Sequence, residues 1–233
     1  MSASRLPGKP LLKVNDIPII CHVVKKAQET QIGEVVVATE DEEIANAVKR
    51  FKGEAILTSK KPQTGTDRIW EAFQKMKLKN IKYIINLQGD EPLININDII
   101  NMHNLTAENN CRINTLASII DKQKLFTDKN IVKVQTEQKL EDKKLSIATN
   151  FSRLVNLNER NIYHHIGIYE FEVSTLETFT SLSQSKKEKK YKLEQLRAMD
   201  NDININVSYA SSKVVGIDTK EDYIEFKNLT ENK

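Results

Sequence analysis

Apolar positions in the first half of the chain follow two alternating periodicities. From Ile19 to Ala27, and again from Glu42 to Phe51, apolar residues recur at helical spacing, which predicts amphipathic helices. A third such segment runs from Ile69 to Met76. Between these segments lie short apolar runs rich in β-branched residues, which predict strands buried on both faces: EVVVAT, EAILT and KYIIN. The alternation of strand and helix predicts a parallel sheet covered by helices.

The second half of the chain has a different pattern. Four strand-like runs lie between positions 112 and 171, with little helical periodicity between the middle ones: RINTLASII, NIVKVQTE, KLSIATNF and HHIGIYEF. They predict an antiparallel excursion or a small second sheet. The segment 183–199 predicts a helix, and a strand-like run followed by a helix from Lys220 closes the chain. We expect a single domain over residues 1–233, with an antiparallel lobe at roughly residues 113–172.

Composition and charge exclude several classes of protein. The 233 residues are 29% charged and 39% hydrophobic, and the net charge of +3 is too small to indicate nucleic acid or membrane binding. Cys21 and Cys111 match no metal-ligand spacing, so we expect buried thiols in a reducing compartment. There is no secretory signal, and no apolar run reaches the roughly 18 residues of a membrane span. We therefore expect a cytoplasmic protein without nucleic acid partners or membrane insertion.

The first candidate site is a turn close to the start of the chain. In Leu6-Pro7-Gly8-Lys9, proline fixes the first central φ and glycine allows a positive second φ, which predicts a type II turn. Such a turn directs backbone N–H groups into a concavity that suits an anion, and Arg5 and Lys9 flank it. The G-x-x-x-x-G-K spacing of a P-loop is absent. Taken alone, the turn is more typical of an exposed loop with two solvated cations.

Two acidic residues follow short apolar runs. Asp90 lies in QGDEP after YIINL, and Asp218 lies in GIDT near the C-terminus. Ligands of α/β proteins collect at the carboxyl ends of strands, and two carboxylates that meet there provide the hard oxygen donors that Mg²⁺ prefers. The alternatives are that Asp90 is an ordinary turn residue and that Asp218 or Thr219 caps the last helix.

Two further stretches contain candidate binding residues. QTGTDR places a glycine-containing turn before a helix, with Thr66 as the predicted N-cap and exposed amides that suit a base edge or an anion. Arg68 in the first turn opposes the helix dipole, which hints at another role. His164 and His165 are adjacent on a predicted strand, so at most one of them enters a given site. A hydrogen-bonded structural histidine is the commoner outcome, and no Ser-His-Asp or Cys-His set is readable.

Taken in order, these stretches resemble the 3-deoxy-manno-octulosonate cytidylyltransferases (CMP-Kdo synthetases). The resemblance is carried by SRLPGKPL, VVVATEDEEI, QTGTDR, NLQGDEP, INTLAS, NIVKV, NFSR, HIGIY, LEQLR and GIDTKED. The first of these is shared with other sugar nucleotidyltransferases, whereas the ordered set is specific. The resemblance implies an α/β fold, in which a Rossmann-like nucleotidyltransferase sheet is covered by helices and a smaller antiparallel lobe forms a homodimer.

The resemblance also implies an activity, a cofactor and a set of site residues. The activity is Mg²⁺-dependent transfer of CMP from CTP to the anomeric hydroxyl of 3-deoxy-D-manno-octulosonate (Kdo), with release of pyrophosphate, for lipopolysaccharide synthesis. Arg5 and Lys9 would hold the triphosphate, and Asp90 and Asp218 would ligate Mg²⁺. The remaining implied substrate-binding residues are Gln63, Gly65, Thr66 and Arg68 for cytidine, Gln88 in the loop of Asp90, and Arg153, His165, Tyr169, Glu194 and Gln195 for the sugar acid.

The chain departs from the family pattern in two places. The family begins with an apolar strand that ends in Pro-Ala-Arg, and this chain starts just beyond that arginine; we hypothesise that the natural product starts upstream. On the sugar side, 186–188 is Lys-Lys-Glu instead of Pro-Leu-Glu, and Tyr191 replaces a glutamate. Two alternatives follow: a cytidylyltransferase for another sugar acid, such as 8-amino-Kdo or a sialic-type acid, or an inactive remnant that binds nucleotide.

Overall fold

A computed structural model describes residues 6–120, 126–155, 159–212 and 216–231. Its chain divides into two compact units. Unit 1 comprises Met1–Lys77, Leu87–Asn97 and Val214–Lys233, and unit 2 comprises Leu78–Asn86 and Asp98–Lys213. The single domain with a dimer-forming lobe stays a prediction.

Helices and strands alternate along most of the chain. After a short 3-10 helix (Lys9–Leu11), the first half contains β1 (Lys13–Val14), β2 (Ile17–Pro18), α1 (Ile19–Glu29), β3 (Val36–Thr39), α2 (Glu42–Arg50), β4 (Glu54–Leu57), α3 (Gly65–Met76), β5 (Tyr83–Asn86) and α4 (Ile96–Asn109). The second half contains β6 (Ile113–Ser118), β7 (Lys133–Thr136), β8 (Leu145–Ser152), β9 (Ile162–Glu172), α5 (Val173–Ser181), α6 (Lys186–Tyr191), α7 (Leu196–Met199), β10 (Asn206–Tyr209) and α8 (Lys220–Glu231).

Unit 1 combines a parallel strand pair with helices. Strands β3 and β4 run parallel, in the register Val36 to Glu54 through Thr39 to Leu57. Helix α1 contributes to two apolar clusters, because Ile19 belongs to one and the adjacent Ile20 belongs to the second. The second cluster also contains Val48 from α2. The predicted helices of α1, α2 and α3 and the two strands between them are confirmed.

Unit 2 contains a six-stranded sheet with the order β5-β9-β6-β10-β8-β7. Strand β7 also pairs with β9, so five of the strands form a closed ring without a free edge. The pair β10–β6 is parallel, and the other pairs are antiparallel. Strand β6 is buried at every position from Ile113 to Ser118, which fits its central place in the sheet. The four predicted strands of this region are confirmed as β6 to β9.

Three expectations about secondary structure are wrong. Tyr83–Asn86 does not extend a parallel sheet, since within the described residues β5 pairs only with β9, antiparallel. Helices α4 and α5 were not predicted. The predicted helix over 183–199 is broken, because Lys192 adopts a left-handed φ of 55° and ends α6. Arg197 in α7 then donates to Glu188 in α6 through Nε (3.0 Å) and Nη2 (2.8 Å), and both side chains are buried.

The expectation for the two cysteines is met by the structure. Cys21 and Cys111 are buried free thiols. Among the described residues, no helix has both the length and the apolar character needed to cross a bilayer.

Candidate functional site

The turn near the start of the chain has the predicted geometry. The Lys9 N–H donates to the Leu6 carbonyl at 3.2 Å, and Gly8 has φ 68° and ψ 11°. These are the values of a type II turn, whose positive φ favours glycine at this position. Arg5, predicted to flank the turn, lies outside the described residues.

The turn rests on an apolar cluster. Leu6 packs against a core cluster that contains Ile19 of α1, Ile217 and Phe226 of α8. The Ile19 N–H also donates to the Leu12 carbonyl at 2.8 Å, which fastens the segment after the turn to the start of α1. Because Ile217 immediately precedes Asp218, the same cluster supports both the turn and this carboxylate.

Asp90 and Asp218 meet at one cation, the Lys9 ammonium. Lys9 Nζ lies 2.6 Å from Asp90 Oδ2 and 3.1 Å from Asp218 Oδ1. The backbone explains this convergence, since the Ile217 N–H donates to the Asp90 carbonyl at 2.8 Å. Gly89 allows the close packing beneath it, because a Cβ there would lie 2.8 Å from Ile20 Cδ1. The expectation that the two carboxylates converge is met, and their role as metal ligands stays a prediction.

The cap of the last helix is made by residues other than Asp218. The Thr219 hydroxyl accepts from the Asp222 N–H at 3.2 Å. The Asp222 carboxylate accepts in return from the N–H groups of Thr219 (2.8 Å) and Asp218 (2.9 Å). This reciprocal arrangement is a capping box. The predicted cap by Thr219 is therefore confirmed, and the Asp218 side chain contacts Lys9.

The position of the Lys9 ammonium fits a hard divalent cation. Asp90 and Asp218 each direct a carboxylate oxygen at it, and carboxylate oxygen is the donor that Mg²⁺ prefers. Among the described residues, no three or more His, Cys, Asp and Glu side chains converge as a metal cage. A metal ion held by one or two carboxylates and by substrate phosphates is the usual arrangement for Mg²⁺.

Helix α3 begins differently from the prediction. Its N-cap is Thr64, whose Oγ1 accepts from the Asp67 N–H at 3.2 Å while Asp67 Oδ2 accepts from the Thr64 N–H at 3.1 Å. Thr66 as N-cap is therefore wrong, because Asp67 completes the capping box with the residue three positions earlier; Thr66 is instead buried in the first turn. Gln63 is exposed, and the space beside Gly65 is open.

Arg68 has a specific set of partners. Its Nη2 lies 2.7 Å from Glu40 Oε2, and its Nη1 donates to the Thr58 hydroxyl at 2.5 Å. Glu40 directly follows β3 and Thr58 directly follows β4, so the guanidinium joins the carboxyl ends of two parallel strands. The Arg68 hydrogen bond holds the pKa of Glu40 below its usual value. Glu40 was not predicted as a site residue, although Arg68, a cation that opposes the dipole of α3, was the signal for such a partner.

In unit 2, His165 is a buried, neutral residue. Its Nε2 lies 3.0 Å from Thr115 Oγ1, which donates its own proton to the Ile168 carbonyl at 2.6 Å. The hydroxyl therefore accepts from His165, which assigns the proton to Nε2. Burial lowers the pKa of His165 to about 3, and the neighbouring His164 adds to this effect. His165 therefore points into the interior of unit 2, and it has the hydrogen-bonded structural role that is the commoner outcome for such a histidine.

This depressed pKa predicts a specific pH dependence of stability. An unfolded histidine titrates near 6.5, so between pH 6.5 and 3 the unfolded chain binds a proton that folded His165 does not. Its contribution to stability is complete above pH 6.5 and is lost as the pH falls, by up to about 1.4 kcal/mol per pH unit. We expect urea midpoints of His165→Gln to fall less between pH 7 and 4 than those of the unchanged protein. Thr115→Val, which keeps the histidine, should retain the steep fall, and equal slopes for all three proteins would contradict the prediction.

Tyr169 and Glu194 lie together beside His165. The ring centroids of His165 and Tyr169 are 5.4 Å apart. Burial raises the pKa of Tyr169 well above its usual value, and the Glu194 carboxylate nearby adds to it. Among the described residues, the buried Tyr169 Oη has no hydrogen-bond partner. A buried hydroxyl without a partner is costly, so this atom is suited to a polar ligand. Gln195, next to Glu194, is also buried.

Arg153 is fixed to a neighbouring loop. Its Nη1 donates to the carbonyls of Lys129 and Asn130, each at 3.1 Å. The backbone at this position is held by Lys133, whose Nζ donates to the Arg153 carbonyl (2.9 Å) and to that of Ile131 (3.0 Å). Burial lowers the pKa of Lys133. Lys133 was not predicted as a site residue, although a lysine inside the apolar run NIVKV indicates a cation with internal acceptors.

Comparison with known proteins supplies independent information. A family model described as cytidylyltransferase matches residues 1–205. A 3-deoxy-manno-octulosonate cytidylyltransferase of Thermodesulfovibrio yellowstonii is 40% identical over 237 residues, covering 94% of this chain and 91% of the relative. A solved structure of a CMP:2-keto-3-deoxy-manno-octonic acid synthetase complexed with CTP aligns with a TM-score of 0.87 and 32% identity, over 98% of this chain and 94% of that chain. An apo UDP-glucose pyrophosphorylase, at a TM-score of 0.73 and 15% identity over 100% and 95% of the two chains, shares the fold.

Proposed function

Because this chain belongs to the family of 3-deoxy-manno-octulosonate cytidylyltransferases, we propose that it transfers CMP from CTP to the anomeric hydroxyl of Kdo and releases pyrophosphate. The observation that carries this proposal is the meeting of Asp90 and Asp218 at Lys9, beside the turn of Leu6 to Lys9. The product, CMP-Kdo, is the activated sugar from which Kdo enters lipopolysaccharide.

The reaction is an in-line displacement at the α-phosphorus of CTP. The hydroxyl oxygen of Kdo forms a bond to this phosphorus and loses its proton, and the bond from the phosphorus to the leaving pyrophosphate breaks. Asp90 and Asp218 would hold Mg²⁺, which when bound would supply positive charge to the phosphate oxygens. The protein contributes mainly position and electrostatics: the turn at Gly8 offers backbone N–H groups, and Lys9 offers a cation.

Residues of unit 1 are assigned to the nucleotide. We propose that the first turn of α3, with Gly65 and Thr66, approaches the cytosine, because the space beside Gly65 is open. Arg68 is held by Glu40 and Thr58 at the ends of two strands, so it presents a fixed guanidinium to the nucleotide. Gln63 and Gln88 complete the proposed set.

Residues of unit 2 are assigned to the sugar acid. Kdo carries a carboxylate and several hydroxyls, and such a ligand needs buried donors and acceptors. Tyr169 Oη is a buried donor of this kind, with the Glu194 carboxylate nearby as an acceptor. In our proposal neutral His165 positions the Tyr169 ring, while Arg153 and Gln195 contact the sugar acid. The homodimer and the cytoplasmic location expected from the sequence remain predictions.

Release of pyrophosphate tests the proposal directly. We expect release to require CTP, Kdo and Mg²⁺ together, and to stop when any one of them is omitted. The acceptor is tested by replacing Kdo with 8-amino-Kdo or with N-acetylneuraminate at equal concentration. A faster reaction with either replacement would overturn Kdo as the acceptor. Calorimetric binding of CTP without release for any acceptor would instead indicate a nucleotide-binding remnant.

A further inference from the structure

Lys9 occupies the position that the proposed metal ion needs. Its side chain is 11% exposed, and its ammonium lies 2.6 Å from Asp90 Oδ2 and 3.1 Å from Asp218 Oδ1. A Mg²⁺ ion binds carboxylate oxygens at about 2.1 Å, so it would have to enter the same space. An ammonium and a divalent cation that contact the same two oxygens repel each other. The two cations therefore exclude each other from this position.

We propose that Lys9 is the resident cation of the Asp90–Asp218 pair in the metal-free protein, and that a divalent metal ion binds by displacing it. This inference rests on the proposed function and extends it. The displaced ammonium becomes available to the triphosphate of CTP, for which a flexible point charge is well suited. Metal binding thus prepares the nucleotide site, and the two ligands bind with positive cooperativity.

The local structure allows this exchange without refolding. The Lys9 backbone is fixed, because its N–H donates to the Leu6 carbonyl and its own carbonyl accepts from the Leu12 N–H at 3.2 Å. Both contacts with the carboxylates, by contrast, are made by the end of a flexible side chain. Two carboxylates close together repel each other when no cation neutralises them. In the metal-free protein Lys9 therefore keeps Asp90 and Asp218 in the arrangement that the metal ion requires.

The exchange has a measurable consequence for metal affinity. The metal ion cannot bind while Lys9 occupies the carboxylate pair. The apparent metal affinity is therefore the intrinsic affinity multiplied by the fraction of molecules in which Lys9 has left the pair. Without nucleotide, we expect Lys9→Met to bind Mn²⁺ about tenfold more tightly than the unchanged protein, as measured by electron paramagnetic resonance of the free ion. Lys13→Met, which removes an exposed lysine four positions further on, should leave the Mn²⁺ affinity unchanged.

A second measurement uses the unchanged protein, so it does not depend on the folding of a variant. Acetic anhydride labels exposed amines, and the modified lysines are identified by mass spectrometry. A buried ammonium paired with two carboxylates reacts slowly. We expect saturating Mg²⁺ to increase the labelling of Lys9 several-fold, while the labelling of Lys13 stays constant.

The outcomes separate this inference from the proposed function. Tighter Mn²⁺ binding by Lys9→Met, together with Mg²⁺-dependent labelling of Lys9, supports the displacement. If Lys9→Met and the unchanged protein bind Mn²⁺ equally tightly, the displacement is wrong. The proposal of a metal site still stands if Asp90→Asn weakens Mn²⁺ binding. If Asp90→Asn and Asp218→Asn both bind Mn²⁺ as tightly as the unchanged protein, the carboxylates are not a metal site, and both proposals fail at this point.

Discussion

Replacing Asp90 by asparagine is expected to lower the rate of pyrophosphate release by about 10³-fold, with little change in folding. Charge stabilisation by a metal ion at the reacting phosphate contributes several kcal/mol to such a reaction, and each 1.36 kcal/mol corresponds to a tenfold rate change. Asparagine removes the negative charge that holds the cation and keeps an oxygen acceptor in the same place. The backbone bond from Ile217 to the Asp90 carbonyl is unaffected, so the loop should keep its position.

The measurement compares turnover at saturating CTP, Kdo and Mg²⁺ with the urea midpoint of the same preparation. Glu225→Gln is the matched control, because it neutralises an exposed carboxylate on α8 in the same unit. We expect this control to retain the full rate. An Asp90→Asn enzyme that works within tenfold of the unchanged enzyme would remove Asp90 from the reaction centre.

Arg197→Met is expected to have the largest effect on stability. Arg197 and Glu188 are 1% and 3% exposed and form two parallel hydrogen bonds. The guanidinium also lies over the Phe179 ring, 4.5 Å from its centroid. Removing one partner of a buried ion pair leaves the other charge uncompensated, at a cost of about 3–5 kcal/mol. This is a large part of the roughly 5–15 kcal/mol by which domains are stable, so the variant should unfold at much lower urea.

A double variant shows whether the loss of stability comes from the uncompensated buried charge or from lost packing. Glu188→Gln combined with Arg197→Met removes both charges, and glutamine still accepts from the Ser185 N–H, as the capping box of α6 requires. We expect this pair to recover at least half of the loss in urea unfolding. Lys187→Met, which replaces an exposed lysine of α6 and breaks its ion pair with Asp200, should cost at most about 1 kcal/mol. A single Arg197→Met variant as stable as this control would contradict the prediction.

Local features of the fold were readable from local residues. Pro7 restricts its φ to the value that the first central position of a type II turn requires, and Gly8 permits the positive φ of the second. The turn therefore follows from these two residues alone. The helices from Ile19, Glu42 and Lys220 follow from periodicity. By contrast, the break after α6 depends on the buried pair of Glu188 and Arg197, and helical propensity alone gives no indication of it.

In the candidate site, too, some features were readable from the sequence and others only from the structure. Sequence position and motif identified Asp90 and Asp218 individually, and the family resemblance grouped them. Their actual meeting depends on the bond from Ile217 to Asp90 and on the apolar cluster that supports both segments, and these contacts join residues more than a hundred positions apart. The partners of Arg68 and the buried Tyr169 hydroxyl also became visible only in the structure, because each depends on atoms from separate strands.

The sequence by itself thus determined the family, the order of most strands and helices, and the two acidic residues on which the chemistry depends. Short-range sterics and periodicity encode these features along the chain. The tertiary structure alone decided that Lys9 lies between the two acids and that His165 is neutral. Each of these depends on distances and burial between remote segments, and such quantities exist only once the chain has folded.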